Sequence, residues 1–547
     1  MVCLFLLSPF LFCLQEKAVT SSAPGHEPGA EVSACATCHA AIVASYAQTA
    51  MAKASGPAID GLITGEFEQR KAGIIYRVYE TDGNVWLSFA SRRDPEVRGK
   101  RVLKYYIGSG HRGRTYLFAT DGFWFEAPVN WYGQKKTWDM APAYQEAQEA
   151  PLNLPLAASC LACHTTGMAA PAAGTENRYA SPPFAHAGVT CERCHGDGVS
   201  HAQGSRNIVN PAKLTAERRD AVCMQCHVEG NAAIEQPGKH LYDFRPGDDL
   251  SDYVRYFVKT SAPGETLRAA SQFEALAQSA CKRKAGDRMS CMSCHDPHMT
   301  PTPEERVVYY REKCLACHGE KFASHHHAKE PDCVGCHMPP VASSDVAHTQ
   351  ATDHRILSDP RAGPSVWMLP VAPVNGLVEF PSRPKDPPPL RDLALAWVAL
   401  QKKGIPGASR EVDDLLPKAL KQSPDDVDLL SAYGYEQHQK GATTQAREVY
   451  EHALRVDRDA VDVQTNLAVI EASSGERVVA IALLQKAFQK RPWQDSIGMN
   501  LAVTLCQGDR YAEARDVILR VLQFDPDSSG AKAMLRRLNA DRPNGCR

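Results

Sequence analysis

Beyond the opening residues, the chain has no run of 18 unbroken apolar residues, so no internal transmembrane helix is expected. It also lacks an excess of either charge. Its 61 Lys and Arg face 63 Asp and Glu, for a net charge of −2 and a sequence pI near 6.8. That balance argues against a nucleic-acid surface. Residues 65 to 135 contain no cysteine, although the chain has 19. Disorder is excluded by the opposite kind of observation: 44% of the residues are hydrophobic, as globular folding requires.

Most of the cysteines follow one rule. The pattern C-x-x-C-H occurs at Cys35/Cys38/His39, Cys160/Cys163/His164, Cys191/Cys194/His195, Cys223/Cys226/His227, Cys291/Cys294/His295, Cys314/Cys317/His318 and Cys333/Cys336/His337. Random order at this composition would give roughly 0.02 such pentads. A structural zinc site needs four ligands and does not require a His after each Cys pair. A redox dithiol would occur once, near a βαβ pattern. The pentad is the attachment sequence of haem c: two thiols bind the porphyrin and the adjacent imidazole reaches the iron. Seven covalently attached haems are therefore expected, with His39, His164, His195, His227, His295, His318 and His337 as proximal ligands.

Cys3, Cys13, Cys281, Cys506 and Cys546 lie outside the pentads. Cys3 and Cys13 sit in an apolar run, Val2 to Leu14, too short to span a bilayer. It resembles the core of a secretory signal, without the usual basic start, and residues 1–17 are read as a signal peptide. Phe10-Leu11-Phe12 before Cys13 makes a poor lipobox. With haem c attached outside the bacterial cytoplasm, a periplasmic or extracellular location is expected.

Residues 18–355 form the expected haem region. Within it, about 65–135 read as a small antiparallel β insert. Gly73–Tyr79 and Asn84–Ala90 flank Asp82-Gly83, and Thr115–Thr120 and Phe123–Glu126 flank Asp121-Gly122, both hairpin signals. The insert's aromatics are read as core, not electron relays. The segment from Cys160 to His354 is broken by Gly and Pro and could not fill an ordinary core, so haems would supply the apolar filling. Residues 356–390 are Pro-rich and suit a tether or a strap across a surface.

Residues 391–547 repeat every 34 residues. Ala446, Ala480 and Ala514 share one position, Ala453, Ala487 and Val521 another, and Tyr450, Leu484 and Ile518 a third. Pro492 and Pro526 close two units. This resembles the tetratricopeptide repeat, an α-solenoid, with a degenerate further unit around Arg391–Pro424. His438 and His452 are assigned to repeat surfaces. The fold expected is mainly α: short helices and loops packed on haems with a small β insert, then the solenoid.

Residues 30–356 resemble multihaem cytochromes of the cytochrome c-554/c-prime type, particularly forms fused to tetratricopeptide repeats. The matching stretches are Cys191-Glu-Arg-Cys-His-Gly-Asp-Gly-Val-Ser-His201, Ser290-Cys-Met-Ser-Cys-His-Asp-Pro-His298 and Asp332-Cys-Val-Gly-Cys-His-Met-Pro339. Tyr106-Ile-Gly-Ser-Gly-His111 and His348-Thr-Gln-Ala-Thr-Asp-His-Arg-Ile356 match as well. The resemblance implies that His201 and His298 ligate neighbouring haems from the distal side. His111, His348 and His354 are similar in context. One of His325, His326 and His327 is a further candidate, represented by His326, with a surface cluster as the other reading. The family often has a His about a dozen residues after the first pentad; here Met51 stands there. Met can ligate iron and raises its potential relative to bis-His; a helix-packed Met is the plain alternative. His26, His186 and His240 are read as surface or loop residues.

These distal candidates number seven, enough to saturate seven irons. That favours an electron carrier over an enzyme, with redox protein partners docked through the repeats. The alternative is an oxidoreductase acting on small nitrogen or sulfur oxyanions at one open haem, with Arg112, Arg114, Tyr105 and Tyr106 lining the site. A scaffold stabilised by haem is the third reading. Attachment to a membrane by means other than an internal helix stays open.

Overall fold

The computed structural model describes residues 32–144, 147, 149–260, 271–326, 331–340, 352–358, 376–381 and 387–539, the side chains of 143 and 320–326 excepted. The expected signal peptide, His26, His327, His348 and most of the Pro-rich stretch lie outside the described residues.

Helix α1 (Val32–Tyr46) carries the first pentad and buries none of its side chains. Strands β1 (Ser55–Pro57), β2 (Gly65–Gln69), β3 (Ile74–Thr81), β4 (Asn84–Ser91), β5 (Arg98–Leu103), β6 (Tyr105–Ile107), β7 (Gly113–Thr120), β8 (Phe123–Tyr132) and β9 (Thr137–Met140) follow. They form two antiparallel sheets, ordered β1-β6-β7-β8-β9 and β2-β3-β4-β5. The insert is thus wider than 65–135. Its hairpins turn where the sequence places them: Asp82 and Gly83 have φ of 53° and 73°, Asp121 and Gly122 of 52° and 77°. Two consecutive positive φ values match the right-handed twist of the flanking strands. Alternate residues of the strands, among them Tyr76, Leu87, Phe89, Phe118 and Phe125, fill one shared core.

The remaining pentads lie on short elements: α2 (Ala158–His164), β10 (Thr165–Met168), β11 (Phe184–Ala187), α3 (Glu192–His195), α4 (Val199–Ala202) and α5 (Ala216–His227). Then come β12 (Ala232–Glu235), β13 (Val254–Thr260), α6 (Gln272–Gln278), α7 (Ala280–Ala285), α8 (Arg306–His326), α9 (Cys333–His337) and β14 (Gly376–Phe380). Helices α3, α4, α7 and α9, like α1, bury none of their side chains. Such elements have no polypeptide core to hold them. Part of the Pro-rich stretch, read as a tether or a strap, is a strand: β14 pairs with β13 from Tyr256↔Phe380 to Thr260↔Gly376. The resulting sheet β12-β13-β14 joins segments far apart in sequence.

The C-terminal region, as described, is nine helices: α10 (Leu390–Lys402), α11 (Ala408–Gln422), α12 (Val427–Gln439), α13 (Thr443–Val456), α14 (Val461–Ser473), α15 (Arg477–Lys490), α16 (Asp495–Gln507), α17 (Tyr511–Phe524) and α18 (Ser529–Asn539). Successive helices pack against one another. Ala446, Ala480, Ala514, Ala453, Ala487 and Val521 are fully buried between them. The degenerate unit keeps the same positions apolar, with Val412, Leu416 and Ala419 buried. The chain is therefore mainly helical, with antiparallel sheets and a C-terminal α-solenoid.

Both ends of the solenoid pack on the haem region. Helices α10 and α11 share a core with Ala232, Ile234 and Phe257 of β12 and β13, and Asp392 pairs with Arg255 at 3.4 Å. At the other end Trp493 and Phe524 enter the core of the β insert. There Phe524 meets Phe123 and Phe125 edge-on or tilted, each at 5.9 Å. Asp527 accepts from Ala150 N at 2.8 Å, and Arg520 pairs with Asp121. Among the described residues no helix is long and apolar enough to cross a membrane.

Candidate haem-binding site

On a helical turn, residues i, i+3 and i+4 share one face. That spacing brings two thiols and one imidazole of a pentad to a single macrocycle. Five of the pentads lie on α2, α3, α5, α8 or α9, and the first lies within α1. The pentad at Cys291 begins a 3₁₀ turn, Cys291–Ser293. All fourteen pentad thiols are free of disulfides. Burial raises the Cys191 and Cys194 thiols, each to about 11, and pushes Cys160 higher still, beside the Glu126 carboxyl at 3.4 Å.

The thiols are not enclosed alike, and Cys38 and Cys336 differ from most. Both are exposed, as is Cys317, whereas the other eleven are half-buried. The reason lies in the helices that carry them. Cys38 is on α1 and Cys336 on α9, and neither helix buries a side chain. The described residues therefore build no pocket around these two thiols. A porphyrin laid along the pentad face would itself be their cover.

The imidazoles are oriented in a consistent way. His195 Nδ1 faces the carbonyl of Val209 at 2.8 Å, and His337 Nδ1 that of Leu357 at 2.5 Å. His201 Nδ1 faces Ser205 O at 2.8 Å, and His354 Nδ1 faces Thr352 O at 2.9 Å. His298 Nδ1 lies 3.3 Å from Asp296, and His295 Nδ1 lies 3.3 Å from the Tyr310 hydroxyl. Anchoring Nδ1 fixes the tautomer and aims Nε2 away, as metal-ligating histidines require.

Three pairs of rings then face one another. His39 and His201 have centroids 6.4 Å apart and planes at 15°. His195 and His298 are 6.0 Å apart at 12°, and His295 and His354 are 6.3 Å apart at 23°. Two metal–nitrogen bonds of about 2.0 Å, plus about 1.1 Å from each nitrogen to its ring centre, give roughly 6 Å. Direct face-to-face stacking would be closer. In each pair one ring is the pentad histidine and the other is a distal candidate.

His227 and His295 are exposed by area, yet burial disfavours their charged forms and lowers His295 to about 4. Rings that line a deep cleft behave in this way, whereas rings on an outer surface do not. His186 belongs to β11, opposite Thr166. It is not a loop residue, and its buried Nε2 has no hydrogen-bond partner. No sequence motif marks it. A buried imidazole nitrogen without a partner is costly unless it binds something. Together the free thiols, anchored imidazoles, paired rings and coreless helices fit iron porphyrin.

The other candidates sit elsewhere. Met51 is half-buried in the turn after α1, where its carbonyl accepts from Val189 N at 3.0 Å; His201 faces His39. His111 is exposed at the β6–β7 turn. The side chain of His326 and all of His348 are outside the described residues. Arg114 is buried, donates to the Asp60 and Gly61 carbonyls at 3.0 and 2.7 Å, and covers the Tyr106 ring. These two residues knit the β insert together. His240 stacks on Tyr242 and pairs with Glu235 at 2.8 Å.

Three segments match family models: residues 129–196 that of cytochrome c554 and c-prime, residues 284–323 that of the doubled CXXCH motif, and residues 471–538 that of the tetratricopeptide repeat. The chain is a multihaem c-type cytochrome. More narrowly, one segment of its haem region is similar to cytochrome c554 and c-prime, and its C-terminal segment to the tetratricopeptide repeat. Multiheme cytochrome MtrA of Shewanella baltica is 26% identical over 181 residues. That similarity covers 30% of this chain and spans about half, 53%, of the relative. Among solved structures, MamA AMB-1 is 23% identical over 27% of this chain and 82% of its own, with a TM-score of 0.24. Pseudomonas aeruginosa pilF is 20% identical over 27% of this chain and 67% of its own, with a TM-score of 0.25.

Proposed function

We propose that the protein is an exported electron carrier holding seven haems c, one at each pentad. The observation that carries this reading is the set of three histidine pairs 6.0–6.4 Å apart. His39/His201, His195/His298 and His295/His354 are read as axial pairs. His164, His227, His318 and His337 are proximal ligands of the other four irons. Met51, His111, His326, His348 and now His186 remain their distal candidates. Bound haem supplies reversible one-electron chemistry, and ligand type and burial tune its potential. The chain disfavours the charged forms of His195, His227, His295 and His354 by burial, and anchors Nδ1 of six of the rings.

Saturated irons leave no position for a substrate, which favours carriage over catalysis. Export is supported by the chemistry of attachment and by Cys506, which is disulfide-bonded; such bonds persist in oxidising compartments. The repeats suit protein–protein contact. With both their ends engaged within the chain, a redox partner would use the surface between.

Electron paramagnetic resonance of the oxidised holoprotein tests the reading. Low-spin signals with nearly parallel bis-His ligation at three sites are expected, and His298→Ala should convert one of them to high spin. A wild-type spectrum dominated by high-spin iron would refute it.

A further inference from the structure

Two of the three ring pairs draw on one short segment. His295 faces His354, and His298, three residues further on, faces His195. The stretch His295-Asp296-Pro297-His298 therefore serves two sites. It gives the site at Cys291 its pentad ring and the site at Cys191 its opposing ring, so the two sites are neighbours.

The groups that anchor the four rings differ between these sites. At the Cys191 site, His195 Nδ1 faces the carbonyl of Val209 at 2.8 Å, and Val209 N returns a bond to His195 O at 3.2 Å. His298 Nδ1 lies 3.3 Å from Oδ1 of Asp296, an oxygen that His298 N fixes with a bond of 2.9 Å. At the Cys291 site, His354 Nδ1 also faces a carbonyl, that of Thr352, at 2.9 Å. His295 Nδ1 instead has the phenol of Tyr310 at 3.3 Å. Tyr310 meets the His295 ring edge-on, with centroids 5.7 Å apart and planes at 72°. It is held there by α8, a separate element from the turn that carries His295.

An imidazole bound to iron through Nε2 keeps its hydrogen on Nδ1, so all four Nδ1 groups donate. Each site then has one carbonyl acceptor, and the second acceptor distinguishes them: a carboxylate at Cys191, a neutral phenol at Cys291. A charged acceptor makes a hydrogen bond roughly twice as strong as a neutral one. The stronger bond makes the ring a more basic ligand, which favours ferric iron.

We propose that Asp296 and Tyr310 are positioning residues that set the direction of electron flow between these two sites, from Cys191 to Cys291. This rests on the reading of the ring pairs as axial pairs and adds a gradient to it. One electron leaves the ferrous Cys191 site, which becomes ferric, and enters the ferric Cys291 site, which becomes ferrous. Every Nδ1 keeps its hydrogen, so no proton moves. The electron should favour the Cys291 site about tenfold, which for one electron is about 59 mV.

Potentiometric titration of the full holoprotein, followed by electron paramagnetic resonance, reads both midpoints. The low-spin signal lost in His298→Ala marks the Cys191 site, and the one lost in His354→Ala marks the Cys291 site. In the wild type the Cys291 midpoint should lie above the other. Asp296→Asn keeps an acceptor without its charge and should raise the Cys191 midpoint more than the Cys291 one, closing most of the gap; Asp296→Glu should restore part of it. Tyr310→Phe removes the acceptor of His295 and should raise the Cys291 midpoint alone, widening the gap. Both variants should keep the haem content and low-spin iron of the wild type, which a merely structural role would not preserve together with a shifted midpoint. A wild-type Cys191 midpoint equal to or above that of Cys291 would overturn the gradient. An unmoved Cys291 midpoint or high-spin iron in Tyr310→Phe, or equal shifts at both sites in Asp296→Asn, would overturn the assigned roles. A wild-type protein without low-spin bis-His signals at these two sites would instead defeat the axial pairs themselves.

Discussion

Asp525 offers a sharp test of how the solenoid is held against the haem region. It is 7% exposed at the seam, beside the carboxylates of Asp495, Glu149 and Asp527 and the rings of Tyr76 and Tyr144. Burial first, then the charge of Asp495, raises its pKa from the ordinary carboxylate value to about 7. Lys532 pairs with Asp527 at 2.9 Å and with Asp94 at 3.3 Å. A folded-state pKa above the unfolded one means the folded state binds the proton more tightly. Its contribution is fully present below about pH 4 and is lost as pH rises to about 7. About three pH units correspond to about 4 kcal/mol. Asp525→Asn removes that penalty at pH 8. It keeps an acceptor for Asp527 N and gives up the 3.4 Å contact with Asn153, worth about 1 kcal/mol. The net gain expected at pH 8 is about 3 kcal/mol, a rise of several degrees in melting temperature, turning into a loss of about 1 kcal/mol near pH 4, where the penalty is gone and only the lost Asn153 contact counts. Thermal melts followed by circular dichroism at both pH values measure it. A variant no more stable than wild type at pH 8, or equally stabilised at both pH values, would refute the reasoning.

Other substitutions probe the remaining elements. A Cβ added at Gly434 would lie 2.4 Å from the Tyr450 ring. Gly434→Ala should therefore cost about 1–3 kcal/mol despite its better helix propensity. The next repeats carry Ala468 and Ala502 there, with Leu484 and Ile518 in place of the tyrosine. Adding Tyr450→Leu should recover most of the loss in a denaturant melt. Phe524→Ala empties a fully buried ring site between Phe123 and Phe125 and should cost about 3–5 kcal/mol. Limited proteolysis should then cut first near the loosened C-terminal repeats.

What the sequence disclosed follows from the range of the interactions involved. Each pentad is a local device, legible because its thiols and imidazole are neighbours in the chain. How far each thiol is enclosed was not legible: Cys38 and Cys336 have the same motif as Cys160 and Cys163 but are exposed among the described residues. The turns at Asp82-Gly83 and Asp121-Gly122 are local too, fixed by positive φ. The repeat is legible because every unit must bury the same positions, Ala446 and its successors. Pairing between distant segments left no such mark. Strand β14 joins β13 from across the Pro-rich stretch, which reads as a tether when only composition is considered. The engagement of Trp493 and Phe524 with the β insert was hidden for the same reason: both look like ordinary repeat core. The distal candidates fell between these cases. His201, His298 and His354 stood out through a resemblance, but which pentad histidine each ring faces came only from three-dimensional proximity. His186 has no signal at all beyond being a histidine in a strand.

The intact mass of the protein, purified from a host able to attach haem c, bears most directly on whether each of the seven pentads grips a porphyrin. A mass exceeding that of the processed chain by seven haems is expected. A colourless protein, or one carrying fewer, would contradict it.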